Sequence, residues 1–415
     1  MCIQILKSKK RCAIITLLYI EELISIKKSN KKLLILIPVC ILIFCIVCVG
    51  AIIASIEIRY RLQEKKVAEM KSEQSNELYY FNQLTYKEQL LFKAIANSAK
   101  AYERNTEIVH YKYSENEFQR VAKALSFDCP EYFYLDKASF RLYCDNYKSY
   151  VEMDFLFSVA DINNMKMEIE AVSAAGVAYA TDDMTDFEKA VAIHDFLTKH
   201  CTYAGTTENP ENIPSTAHTA YGALINKLAY CDGYSAAYKI LLNRCGIECI
   251  IVEGKTDIEP HLWNVVKQGN DYFHIDCTWD DPDIEALSDF AFHGFFNLSD
   301  SEISKSHLIY KNFKLPNCSS TENYYSQRGA KVVSPEDFET IAYNQIKDAI
   351  LKNNEYFEIY PIYTNNEEDY KESLLNAIDK VNSEYEKSIL SRSYQAFNAT
   401  KDGYSVTVQI YYINE

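Results

Sequence analysis

The sequence contains no H-E-x-x-H helix, no glycine-rich phosphate loop and no internal repeat, and its eight cysteines after residue 56 include no C-x-x-C pair. The first absence excludes the common zinc-protease helix, the second excludes P-loop or dinucleotide-type phosphate cradling, and the third excludes a solenoid or propeller. The fourth leaves no zinc ribbon. The cysteine spacing is too irregular for a disulfide framework, so most of these thiols are expected in cores. Positive charge is scarce as well. The net charge is −15, and setting aside the eight basic and two acidic residues before residue 57 leaves −21 for the remainder. Such a surface repels phosphate backbones, so no nucleic-acid partner is expected.

One run breaks the globular pattern. Residues 33–56 carry no charge and are long enough to cross a hydrocarbon layer of about 30 Å. Lys7, Lys9, Lys10, Arg11, Lys27, Lys28, Lys31 and Lys32 precede the run against only Glu21 and Glu22. This bias keeps the N-terminus cytoplasmic and sends the rest outward, although Arg59, Arg61, Lys65 and Lys66 on the far side soften it. A cleaved signal peptide, cut near Val49-Gly50-Ala51, is the weaker reading, because the leading region is long and the apolar run continues past that site. Residues 12–26 are too short and too charged to span, and are expected on the inner membrane surface or without structure.

The expected organisation is a cytoplasmic basic tail (1–32), a transmembrane helix (33–56), a polar stalk (57–76), a small α+β unit (77–170), a core (171–325) and a C-terminal α+β unit (330–415). Capping boxes at Ser114/Glu117 and Thr185/Glu188 start helices. In the second, Phe187, Val191, His194 and Leu197 share an apolar face, so His194 reads as a hydrogen-bonded core residue rather than a catalyst. Gly246 ends the helix that starts near Cys231, and "ECIIVEG" reads as a strand. The stretch "HLWNVVKQGNDYFHIDCTWDDP" reads as a hairpin, its turn centred on Gln268 and Gly269, which sets His261 opposite Asp276. Asp280 and Asp281 read as turn residues. The unit from Ser334 and Pro335 onward carries no recognisable chemistry.

Cys231, His261 and Asp276 then fall on a helix N-terminus and two paired strands. The positive end of a helix dipole favours thiolate over thiol. An adjacent imidazole can take and return the proton, and a carboxylate fixes its tautomer. Backbone N–H groups at the helix start face a developing oxyanion, and Gly233 is expected to let substrate backbone approach. A zinc site on Cys231, His261, His274 and Cys277 is disfavoured, because residues 274 and 277 leave opposite faces of one strand. The two tryptophans, Trp263 and Trp279, pack in the core or wall a substrate groove.

Three motifs in order, C-x-G-Y at 231–234, H-x-W-N at 261–264 and D-x-T-W at 276–279, resemble the transglutaminase-like superfamily of papain-related thiol enzymes. The likeness is to bacterial membrane-anchored or secreted members and spans roughly residues 184–300. It implies an α+β fold: one N-terminal transmembrane helix, then an extracellular transglutaminase-like, papain-type core with flanking small α+β units, the cysteine borne on a helix against an antiparallel sheet. It implies Cys231 as nucleophile, His261 as general base and acid, and Asp276 as orienting carboxylate. Trp263, Tyr234 and Trp279 become the candidate substrate-binding residues. The reaction implied is on amide bonds of peptides or proteins through a thioester, ending in hydrolysis or acyl transfer, with no cofactor or metal. By location the substrate would be a cell-wall peptide or surface protein. Tyr230, where a small or β-branched residue is usual, and Leu262, where alanine is common, depart from the pattern and would narrow the pocket. The competing reading is a non-catalytic surface module that binds peptide or glycan, against which the complete set of three groups counts.

Overall fold

The computed structural model describes residues 31–73, 78–109, 111–145, 148–206, 210–257, 259–281, 290–361, 366–384, 390–398 and 406–412. The basic tail up to residue 30, with the expected surface segment 12–26, lies outside the described residues. Helix α1 (Lys31–Glu73) takes in both the apolar run and the described part of the stalk. Its stretch Pro38–Ser55 is long and apolar enough to cross a membrane. At 1.5 Å per residue α1 is roughly 65 Å long, about twice the hydrocarbon thickness. No proline or glycine follows Gly50 within it, so the helix runs past the expected boundary at residue 56 without a break.

Residues 70–415 form a separate compact unit. Its first part holds α2 (Tyr86–Lys100) and α3 (Glu115–Asp128), each opened by a capping box, and an antiparallel sheet of β1 (Asn105–Val109), β2 (Leu135–Cys144) and β3 (Lys148–Phe155) in the order β1-β3-β2. This part does not pack alone. Leu91, Val121 and Val151 belong to one hydrophobic core with Leu241, Trp263 and Phe296. The Tyr80 hydroxyl donates to the Ile251 carbonyl, and Lys123 pairs with Glu253 at 2.6 Å, so the chain crosses residue 170 with no break in packing.

After α4 (Val159–Val177) and α5 (Asp186–His200) comes α6 (Cys231–Arg244), which lies on a five-stranded antiparallel sheet. The strands are β4 (Cys249–Lys255), β5 (Pro260–Gln268), β6 (Asp271–Ile275), β7 (Phe296–Leu298) and β8 (Leu308–Ile309), in the order β8-β4-β5-β6-β7. Two buried polar contacts fix the helix on the sheet: Asn264 Nδ2 donates to the Ser235 carbonyl at 3.1 Å, and Lys239 Nζ to the Cys249 carbonyl at 2.7 Å.

The hairpin register differs from the expected one. Gln268 pairs with Asp271 and Asn264 with Ile275, so the two-residue turn is Gly269-Asn270. Gly269, with φ +59°, takes the first loop position, where a type II′ turn needs a left-handed residue. His261 and Asp276 are therefore diagonal rather than opposite, and remain on one face.

Gly233 also differs in role. A Cβ there would lie 2.7 Å from the Ala217 carbonyl oxygen and 2.9 Å from that of Thr219, so the chain's own backbone fills the space expected for substrate. Gly233→Ala is expected to cost about 1–3 kcal/mol of stability. Thermal unfolding checks this, and an unchanged midpoint would contradict the close approach.

The C-terminal part has its own hydrophobic cluster around Phe338, Ile346 and Ile378. It consists of β9 (Lys331–Val332), α7 (Pro335–Leu351), β10 (Tyr356–Pro361), α8 (Lys371–Ser383), β11 (Leu390–Asn398) and β12 (Val406–Tyr412), with strand order β9-β10-β12-β11.

Candidate active site

Cys231 is the first residue of α6. Tyr230 before it supplies no side-chain cap, and the Tyr230 N–H is tied to the Ala217 carbonyl at 3.0 Å. His218 Nδ1 contacts the Asp232 carboxylate at 2.9 Å and its ring stacks on Tyr230 at 4.5 Å, which holds the helix start in place. Cys231 is partly exposed, and it lies near enough to His261 to act electrostatically on the imidazole. The His261 Nε2 lies 2.7 Å from Asp276 Oδ2, which leaves Nδ1 for the thiol. The three sequence-predicted catalytic residues are thus brought together around His261.

Asp276 is fully buried and accepts on both oxygens. Oδ2 also receives His307 Nε2 at 3.1 Å, while Oδ1 receives the backbone N–H groups of Thr278 at 3.0 Å and Trp279 at 3.3 Å. His307 is buried, and its Nδ1 lies 2.7 Å from Ser306 Oγ. With Nε2 facing Asp276, Nδ1 is the ring atom left for the serine hydroxyl. Residue 307 was not singled out from the sequence. It stands alone in "KSHLIY" and reaches the site only because β8 pairs with β4, Leu308 opposite Lys255.

Burial opposes charge on His261, but Asp276 and then Cys231 outweigh it and push the imidazole up to about 10. Burial likewise opposes charge on Asp276. The His261 charge, with the donors from His261 and His307, holds that carboxyl well below the usual range. At neutral pH the geometry therefore favours an imidazolium–carboxylate pair beside the thiol.

Two of the three candidate substrate-binding residues are in the core. Trp263 is 0% exposed and donates Nε1 to His274 Nδ1 at 3.0 Å, and His274 in turn donates Nε2 to Asp300 at 3.0 Å. Tyr234 is 0% exposed with its hydroxyl on the Asp281 carboxylate. Neither offers a face to a groove, because their polar ends need buried partners. Trp279 is half-buried, 4.6 Å from His307 and 4.8 Å from Phe295, where it covers the Asp276 contacts. Asp280 lies in a turn as expected, yet its side chain is buried: Oδ1 accepts the Phe295 N–H at 2.7 Å and Oδ2 meets His194 Nε2 at 3.1 Å. Cys129, Cys201, Cys249, Cys277 and Cys318 are free and buried, and burial pushes their thiols up.

Residues 174–277 match the model of the transglutaminase-like superfamily, a stretch that includes Cys231, His261 and Asp276. This part of the chain is a transglutaminase-like core. No curated protein matches the chain. Among solved structures, a TGase is similar at 15% identity over 44% of this chain and 53% of that one, with a TM-score of 0.26. A Cytophaga hutchinsonii protein assigned as a cysteine protease is similar at 13% identity over 34% of this chain and 61% of its own, with a TM-score of 0.23. The chain thus spans less than two thirds of the length of either.

Proposed function

We propose that the chain is a thiol enzyme that acts on amide bonds of peptides or proteins through a thioester on Cys231. The observation that carries this reading is a partly exposed Cys231 at a helix start beside His261, whose Nε2 lies 2.7 Å from a fully buried Asp276. A groove built only for binding has no need of that arrangement. The Cys231 thiolate attacks the carbonyl carbon, and N–H groups at the start of α6 meet the oxyanion. His261 gives its proton to the leaving nitrogen as the C–N bond breaks, and a thioester remains. Water or a primary amine then attacks, His261 takes its proton, and the thiolate departs. Hydrolysis and crosslinking differ only in which nucleophile arrives.

The reading extends to place. With α1 as a membrane anchor and the basic side inward, the enzyme would be a bacterial single-pass protein of the cell membrane, its N-terminus cytoplasmic and its thiol extracellular, facing wall peptides or surface proteins. Incubating the full-length chain in detergent micelles with wall peptides and a primary amine, with products identified by mass spectrometry, tests the chemistry. Cleaved peptide marks a hydrolase and amine adduct a transferase. Bound but unaltered peptide, with Cys231 inert to alkylation, would replace the enzyme with a binding module. Protease treatment of whole cells tests the orientation, since full protection of the region beyond α1 would reverse it.

A further inference from the structure

Away from Cys231, α5 carries two adjacent residues that the proposed chemistry does not use. His194 is fully buried, as is His293 of the segment before β7, and their rings lie 5.1 Å apart. Each ring turns one nitrogen toward a buried carboxylate of its own. His194 Nε2 is 3.1 Å from Asp280 Oδ2, and His293 Nδ1 is 2.6 Å from Glu358 Oε2 on β10. The remaining nitrogens face a single atom: Asp195 Oδ1 is 3.3 Å from His194 Nδ1 and 2.9 Å from His293 Nε2. The Asp195 side chain is 31% exposed and lines, with His293 and Glu358, a cavity of about 520 Å³.

We infer that His194 Nδ1, His293 Nε2 and a carboxylate oxygen of Asp195 bind one divalent transition-metal ion, zinc by ligand type, with a fourth position open to the cavity. Charge supports this. Three carboxylates surround two imidazoles, and one divalent cation with two neutral rings leaves the same net charge as two imidazolium ions. Without a cation each ring faces a carboxylate at both nitrogens, so either the ring is charged or a carboxyl holds a proton, and both arrangements are costly in a buried cluster. With a cation each ring keeps its outer N–H on a carboxylate and offers the inner lone pair. That is the carboxylate–histidine–metal pattern.

The outer carboxylates are themselves held, Asp280 by the Phe295 N–H at 2.7 Å and Glu358 by the His293 N–H at 3.0 Å and the Tyr325 hydroxyl at 3.2 Å. Distances fit as well. Tetrahedral zinc with bonds of about 2.0–2.1 Å sets its ligand atoms about 3.3 Å apart. The two spacings to Asp195 Oδ1 are 2.9 and 3.3 Å, so small side-chain movements would admit the ion.

The test uses the full-length chain in detergent micelles, stripped with a chelator, loaded with zinc or cobalt and separated from free metal. Elemental analysis should find one ion per chain in the wild type and in Cys231→Ala. Asp195→Asn and His293→Gln should each lower zinc affinity at least 100-fold, and Glu358→Gln about 10–100-fold. The wild-type cobalt form should show visible tetrahedral bands without thiolate charge transfer, a readout that needs no variant to fold. No stoichiometric metal in the wild type, equal affinity in Asp195→Asn, loss in Cys231→Ala, or a thiolate band would each overturn the assignment. Each of these outcomes is independent of whether Cys231 turns over a substrate.

Discussion

Asp276→Ala is expected to lower turnover by about 10³–10⁴-fold and to destabilise the fold by about 3–5 kcal/mol. The reason is the number of groups this one side chain serves. His261 and His307 both place Nε2 on Oδ2, and the N–H groups of Thr278 and Trp279 both point at Oδ1. Removing the carboxylate strands four donors in a fully buried pocket. From the sequence alone Asp276→Asn looks isosteric and structurally silent. The contacts say otherwise, because an amide has one oxygen, and either orientation turns its NH₂ toward two N–H donors. Asn is therefore expected to cost about 1–3 kcal/mol in addition to activity. Thermal unfolding and turnover on an identified substrate measure both effects. Since the Asp276 carboxyl is held low in the folded chain, its contribution is complete above the ordinary carboxylate range and is lost toward acid. An alanine variant with wild-type turnover would make Asp276 a purely structural anion.

The second large effect is in thiol chemistry. Brief iodoacetamide treatment near neutral pH is expected to modify Cys231 before the other cysteines of residues 78–412. Five of those are buried, and Cys144, which is exposed, serves as an internal control. The pH dependence is the sharper readout. The charge on His261, raised to about 10, is present below that pH and lost as the pH rises through it. The expected result is an inflection in the Cys231 alkylation profile where His261 loses its charge, absent from the Cys144 profile. Peptide mapping by mass spectrometry follows the sites separately. Cys231 labelling that follows Cys144 at every pH would remove His261 from the thiol chemistry, and Asp276→Ala should abolish the inflection.

The sequence made Cys231, His261 and Asp276 legible because each stands in a local motif on an element with a clear start. The hairpin register was less legible: both centrings of "KQGND" look alike until the left-handed φ of Gly269 selects one. Motif membership misled at Trp263 and Tyr234, whose indole and phenol are consumed by His274 and Asp281 inside the core. His194 read correctly as buried, but its partners did not, since Asp280 and His293 come from segments about 90 residues away along the chain. His307 was illegible for the same reason. A lone histidine acquires meaning only from the strand pairing that delivers it.

Glu358 bears on how separable the parts of this chain are. It sits on β10 of the C-terminal part, yet its carboxylate is spent on His293 in the segment before β7. A gene fragment ending near residue 330 would keep the first hydrophobic cluster and still remove one of the two carboxylates that flank the buried His293 ring, at a cost of about 1–3 kcal/mol. The tail is thus not freely exchangeable cargo: recombination that swaps it must bring an acid to the same spot, so core and tail are bound to be inherited together.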